Sequence, residues 1–237
     1  MSTIFITGVS QRLGFYLADY YLSQGDTVVG TFRTERDAIT ELKKRGADLY
    51  QLDFYDPEQT QQLIDCLLTN YAEIDCVIHN ASDWSGDTGE LNYTDYADVF
   101  QRMMTIHAEV PYQLNMALAP VLNAACSAAD IIHITDYVAF KGSKKHVAYA
   151  ASKAALESLT LSFAQRFAPR IKVNSIAPAL LAFNEWDDDD YKNKARAKSL
   201  MQSEGSFQEA LNAILMLTNS NYITGRVIHL DGGRHLK

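Results

Sequence analysis

Apolar residues along the chain fall into two alternating rhythms. Short runs rich in β-branched residues, TIFIT (3–7), TVVGT (27–31), DLYQL (48–52), DCVIH (75–79), DIIHIT (130–135), IKVNSI (171–176) and RVIHL (226–230), read as strands. Between them apolar residues recur three and four positions apart, as in Leu13, Leu17, Tyr20 and Tyr21, or Leu156, Leu159, Phe163 and Phe167. That is the spacing of one helix face. Strands that alternate with helices predict an α/β fold whose parallel sheet is covered on both faces. Asp56 followed by Pro57 predicts a capped helix start, and Gly46 the end of the helix before it. No repeat or low-complexity linker breaks the rhythm, so a single domain over residues 1–237 is expected.

Two stretches do interrupt it, 82–94 and 177–205. Both follow strands, where loops at the carboxyl edge of an open parallel sheet build a ligand crevice, so both are candidate substrate loops. The acidic run Asp187–Asp190 inside the second reads as the start of a surface helix, where the dipole favours carboxylates.

Composition narrows the function classes. A net charge of -8 lacks the basic face that nucleic acid requires, and no run approaches the length of a membrane span. MSTIFITG carries no basic leader and reads as a first strand. Cys66, Cys76 and Cys126 are scattered without metal-ligand spacing. They are expected as reduced core thiols of a cytoplasmic protein, with no metal site.

The chemistry-bearing residues cluster at strand ends. TGVSQRLG (7–14) places Gly8, Arg12, Leu13 and Gly14 between the first strand and first helix, where backbone and helix dipole can take a pyrophosphate. A plain tight turn is the alternative. The second strand ends in Arg33 and Thr34 where an acid would accept a ribose hydroxyl. A guanidinium beside a hydroxyl suits a 2'-phosphate instead and favours NADPH over NADH. Tyr149 and Lys153 lie four apart on one face of a helix beginning near Val147, 13 residues beyond Asp136. A phenol donates poorly at neutral pH unless a cation stabilises its anion, which Lys153 would do. Asp136 closes a buried strand. It is either a solvated cap or an acid held for chemistry.

Taken with HNAS (79–82), NSIAP (174–178) and ITGRVIHLDGG (223–233), these motifs resemble the short-chain dehydrogenase/reductase superfamily from end to end. The resemblance implies a Rossmann-type, doubly wound sheet of about seven strands with a nicotinamide dinucleotide across its carboxyl edge. It also implies that Asp53 meets the adenine, that Asn80 and Ala81 line the nucleotide, and that Lys153 holds the nicotinamide ribose. Most members carry serine where this chain has Asp136. Arg12, Asp136, Asn80-Ala81-Ser82 and the aromatic Trp84 are instead similar to the pteridine reductases, bacterial members acting on dihydromonapterin above all.

For such an enzyme the substrate would be a dihydropterin, and dihydrofolate a secondary one. Asp136, Tyr149 and Lys153 would deliver a proton to the ring nitrogen, Trp84 would stack on the pterin, and Arg12 would contact it as well. A homodimer or homotetramer is implied, with the helical regions 95–125 and 147–168 as candidate interfaces. Two other readings stay open: a reductase of ketones or sugars, and a non-catalytic dinucleotide-binding regulator. The family's usual asparagine is His107 here, either a satisfied structural residue or a relay. Ala179 stands where a glycine is usual, and KGSKK (141–145) reads as a solvated loop.

Overall fold

The computed structural model describes residues 1–87 and 92–237, so residues 88–91 of the anticipated 82–94 loop lie outside the described residues. The seven apolar runs become β1 (Thr3–Ile6), β2 (Thr27–Phe32), β3 (Asp48–Gln51), β4 (Cys76–His79), β5 (Ala129–Ile134), β6 (Ile171–Pro178) and β7 (Val227–Leu230). All pair in parallel, in the order β3-β2-β1-β4-β5-β6-β7. The chain steps outward from β1 to β3, then crosses back to lay β4 on the other side of β1. The loops leaving β1 and β4 therefore diverge and open a crevice at the carboxyl edge. This is the expected Rossmann-type sheet.

Helices α1 (Arg12–Ser23), α2 (Asp37–Lys44), α3 (Pro57–Asn70), α4 (Tyr93–Met104), α5 (Val110–Asn123), α6 (Tyr137–Lys141), α7 (Val147–Phe167), α8 (Asp189–Arg196) and α9 (Phe207–Thr218) fill the intervals. Because strand side chains alternate, adjacent residues feed opposite layers. Ile4, Ile6, Ile78 and Ile132 pack on Leu17 of α1, Ile39 of α2 and Ile214 of α9. Phe5, Val77, Ile131 and Val173 pack on Leu67 of α3, Leu114 of α5 and Phe163 of α7. Truncating a fully buried residue such as Leu114 to Ala would cost about 2–5 kcal/mol.

The local signals hold. Asp56 accepts from the N–H groups of Glu58 and Gln59, with Pro57 opening α3. Gly46, at φ +94°, follows α2. Asp188 caps α8, which has Asp189 and Asp190 in its first turn and Lys194 and Arg196 in its last. The cysteines differ from expectation: all are free, but only Cys76 is in the core. Cys66 is half-buried, and Cys126 is exposed just beyond the end of α5, where the chain turns at the surface. No helix among the described residues is long and apolar enough to cross a membrane.

One buried charge pair ties β5 to β6. Lys172 Nζ lies 3.0 Å from Asp130 Oδ1. It also donates to the carbonyls of Leu217, Thr218 and Ser220, at 3.1, 3.1 and 2.6 Å, around the C-terminus of α9. An ammonium has three protons, and three carbonyls claim them, which leaves Asp130 Oδ1 buried without an aligned hydrogen bond. Burial accordingly pushes the Asp130 carboxyl up to about 7, with the Lys172 charge opposing.

Candidate active site

The crevice is a cleft of about 460 Å³ running from Arg33 to Tyr149, with the β1–α1 turn at its floor. Gly8 takes φ +77°, and a Cβ there would come within 2.9 Å of Ala81 Cα. At Gly14 a Cβ would fall 2.0 Å from the Gly8 carbonyl oxygen, so only glycine lets α1 begin so close to the turn. Asn80 fixes this geometry from β4: its Nδ2 donates to the carbonyls of Thr7 at 3.1 Å and Gly8 at 2.9 Å. The Thr7 hydroxyl accepts from the N–H groups of Asn80 and Ala81. The N-terminus of α1 has no side-chain cap and no acid in its first turn. Its free N–H groups, at Arg12 to Gly14, therefore present partial positive charge to the cleft, an arrangement that fits a pyrophosphate. Arg12 reaches over the floor from φ +51° to donate to Asn184 Oδ1 at 2.8 Å and the Ala182 carbonyl at 3.0 Å, binding the 177–205 loop to the turn.

At one end, Arg33, Thr34, Arg36, Asp53, Tyr55 and Asp83 line the wall. Asp53 Oδ1 accepts from the Tyr55 N–H at 3.1 Å, while its own N–H donates to Gln59. Arg33 Nη1 lies 3.7 Å from Asp83 Oδ2.

At the other end, β5 delivers Asp136 and α7 delivers Tyr149 and Lys153. Asp136 Oδ1 accepts from the Val138 N–H at 2.9 Å, capping α6. Its Oδ2 accepts the phenol proton of Tyr149 at 3.0 Å. The two readings of Asp136 thus coexist, one on each oxygen. Burial raises the Asp136 carboxyl above the usual range, opposed by the Val138 N–H and by Lys153. Tyr149 departs from expectation. Burial and the facing Asp136 carboxylate push its pKa well above 10, with Ser82 opposing, and the hydrogen bond of Lys153 goes elsewhere. Lys153, 3% exposed, donates to the Ile134 carbonyl at 2.9 Å, with Nζ 5.7 Å from the centre of the Tyr149 ring. Burial lowers its pKa to about 8, with Asp136 opposing.

Behind this set stands His107. A π-helical turn, Thr105–Glu109, joins α4 to α5 and turns His107 inward against the Tyr149 ring, edge to face at 5.3 Å. The Ser152 hydroxyl donates to the Tyr149 carbonyl at 2.8 Å, so its lone pair takes the His107 Nδ1 proton at 2.9 Å. Nε2 is then bare and accepts from Ser82 at 2.8 Å. Burial, with Lys153 adding to it, lowers the His107 pKa to about 2, which removes it as a pH-sensitive group near neutrality. A second neutral chain runs beneath: His79 to Asn115 at 2.7 Å, Asn115 to His133 at 3.1 Å, and His133 to Thr160 at 2.7 Å. Burial lowers His79 to about 4 and holds His133 well below 6.5.

The cleft brings together Gly8, Arg12, Leu13, Gly14, Arg33, Thr34, Asp53, Asn80, Ala81, Asp136, Tyr149, Lys153 and Ala179. Trp84 lies outside this group: it is 68% exposed and turns its ring edge-on to His146 at 5.1 Å. Of its neighbours, Asp83 is held by Arg102, and Asp87 accepts from the Val147 N–H at the start of α7. Residues 141–145 are largely solvated, as expected. Sequence reasoning missed Arg36, Tyr55 and Asp83. Arg36 was within reach, three residues beyond Arg33, whereas Tyr55 and Asp83 carry no periodic or motif signal.

Comparison with known proteins gives a consistent result. The family described as enoyl-(acyl carrier protein) reductase matches residues 8–235. A dihydromonapterin reductase of Escherichia coli O6:K15:H31 is 43% identical over 235 residues, covering 99% of this chain and 97% of that protein. Among solved structures, an apo SCOR enzyme from Clostridium thermocellum superposes with TM-score 0.86 at 24% identity, covering 100% of this chain and 93% of that one. A short-chain dehydrogenase/reductase of Serratia marcescens gives TM-score 0.84 at 22% identity, covering 98% and 97%.

Proposed function

The chain belongs to the short-chain dehydrogenase/reductase family, and from that premise we propose that it reduces dihydropterins with NADPH, converting dihydromonapterin to tetrahydromonapterin. Family membership implies an oxidoreductase that uses a nicotinamide dinucleotide. The full-length likeness to dihydromonapterin reductases supports the substrate class. The single observation that carries the chemistry is the 3.0 Å contact between Tyr149 and Asp136 beside Lys153.

When bound, the dinucleotide supplies a hydride. Reducing a C=N bond puts that hydride on carbon and a proton on nitrogen, and this chain's part is the proton. Asp136, raised by burial, is suited to hold it and Tyr149 to direct it; the buried Lys153 keeps the pocket cationic. His107 Nε2 takes the Ser82 proton, which fixes that hydroxyl, and the His107 ring buttresses that of Tyr149. The N-terminus of α1 with Gly8, Leu13 and Gly14 would hold the pyrophosphate, and Asp53, Asn80 and Ala81 would border the nucleoside. Arg33 and Thr34 are suited to the 2'-phosphate that separates NADPH from NADH. Arg12 would face both phosphates and substrate.

The proposal extends to location and assembly. Three free cysteines suit the cytoplasm. Tyr96 and Phe100 on α4 and Leu161 on α7 expose apolar surface suited to a dimer or tetramer, which solution mass would reveal. The deciding experiment follows NADPH oxidation with dihydromonapterin, dihydrofolate and simple ketones. Turnover of dihydromonapterin is expected to dominate; turnover of ketones alone would replace this reading with that of a carbonyl reductase.

A further inference from the structure

The cleft holds a third carboxylate, beside Asp53 and Asp136, that the chemistry above does not use. Asp83 leaves β4 three residues after Asn80 and sends Oδ2 into a cluster of donors drawn from three other segments. Arg102 of α4 donates to it at 2.7 Å, and the Tyr55 hydroxyl donates at 3.1 Å. Oδ1 accepts from the Trp84 N–H at 2.9 Å. Partial burial works against ionisation, but these donors outweigh it and hold the carboxyl below its usual range. Asp83 is therefore anchored by three hydrogen bonds, and its side chain is only 21% exposed.

Arg33 is held differently. It approaches the same oxygen at 3.7 Å, beyond hydrogen-bond distance, with 55% of its side chain exposed. Losing Arg33 would leave Asp83 fully satisfied, and losing Asp83 would leave Arg33 in water. The contact is exchangeable from both sides.

We propose that Asp83 is an internal competitor for Arg33, holding the guanidinium when no cofactor is bound and yielding it to the adenosine 2'-phosphate. The proposal rests on the assignment of Arg33 to that phosphate. The dianion has to draw the guanidinium away from this carboxylate, which lowers its affinity and eases its departure. NADH carries no charge at that position, so Asp83 leaves its binding alone. Asp83 is thus a specificity-determining residue of opposite sign to Arg33.

The test is direct binding, read by fluorescence titration with NADPH, NADH and 2',5'-ADP. Asp83→Asn keeps the shape and an acceptor for Tyr55. It is expected to tighten NADPH and 2',5'-ADP by about two- to fivefold, the range of an exposed ion pair, and to leave NADH unchanged. In an Arg33→Ala background the gain should largely vanish, and added salt should shrink it. Should Asp83→Asn melt early, Asp83→Ser, which keeps a hydroxyl for Tyr55, carries the same expectation. Unchanged or weaker NADPH binding in these variants overturns the proposal. If Arg33→Ala itself leaves the ratio of NADPH to NADH affinity intact, the phosphate assignment fails first. If that ratio collapses while Asp83→Asn does nothing, only the competitor role is lost.

Discussion

The Tyr149 end of the cleft and the Arg33 end solve the problem of placing charge in opposite ways. Around Tyr149, Lys153 is 3% exposed, His107 is 1% exposed, and each makes hydrogen bonds of 2.8–2.9 Å to groups that are themselves held. Around Arg33, more than half of the side chain is exposed, and the carboxylate it approaches among the described residues is 3.7 Å away. In a dry pocket electrostatic effects are strong and geometry must be settled in advance. At a wet rim they are screened, and partners can change. On the proposed reading, proton delivery is built for fixity and cofactor recognition for exchange.

The sharpest way to break that contrast is Tyr149→Phe. Loss of a positioned proton donor should lower kcat by about 10²–10⁴, with NADPH affinity by titration within about twofold of the parent. A small fall in kcat would mean the buried end is not where the proton is handled. Asp136→Ser should cost on the order of 10² in dihydropterin turnover while leaving carbonyl substrates less affected. In the parent enzyme, kcat/KM should fall as pH rises through about 8, where Lys153 loses its charge; an unchanged rate to pH 9.5 would remove Lys153 from the set.

Fixity also has a thermodynamic signature. His79, His107 and His133 stay neutral in the fold but take protons near 6.5 once unfolded. The unfolded chain therefore binds more protons, and stability is full above pH 6.5 and lost as pH falls, towards about 4 for His79 and about 2 for His107. The loss is up to about 1.4 kcal/mol per pH unit for each histidine. Urea titrations at pH 7, 6 and 5 should show it; a flat profile would contradict their burial. The smallest effect belongs to the wet end. Arg33→Ala should erode the preference for NADPH about tenfold, and salt should erode it in the parent protein.

Much of this was legible in the sequence, for physical reasons that differ by element. Parallel strands buried on both faces have to be apolar throughout, so runs such as Ile131–Ile134 stood out, and Gly8, Gly14, Tyr149 and Lys153 carry their spacing locally. What escaped depends on contacts distant along the chain. Asp83 meets Arg33, Tyr55 and Arg102 from positions 50, 28 and 19 residues away, and no local signal joins them. His79 and His133 sit inside apolar runs, where no local signal marks them as partners. Only β4 and β5 pairing in register puts them side by side, with Asn115 of α5 completing the chain.

The buried pair of Asp130 and Lys172 has a consequence for how the molecule meets acid. Asp130 takes a proton in the native state near pH 7, but only near 3.8 when unfolded. Its linkage therefore runs against that of the histidines: acidification across that interval favours the fold at this one position and counteracts about one of the three histidine protons. An Asp130→Asn protein should shed that counterweight and lose stability more steeply than its parent as pH falls below 7.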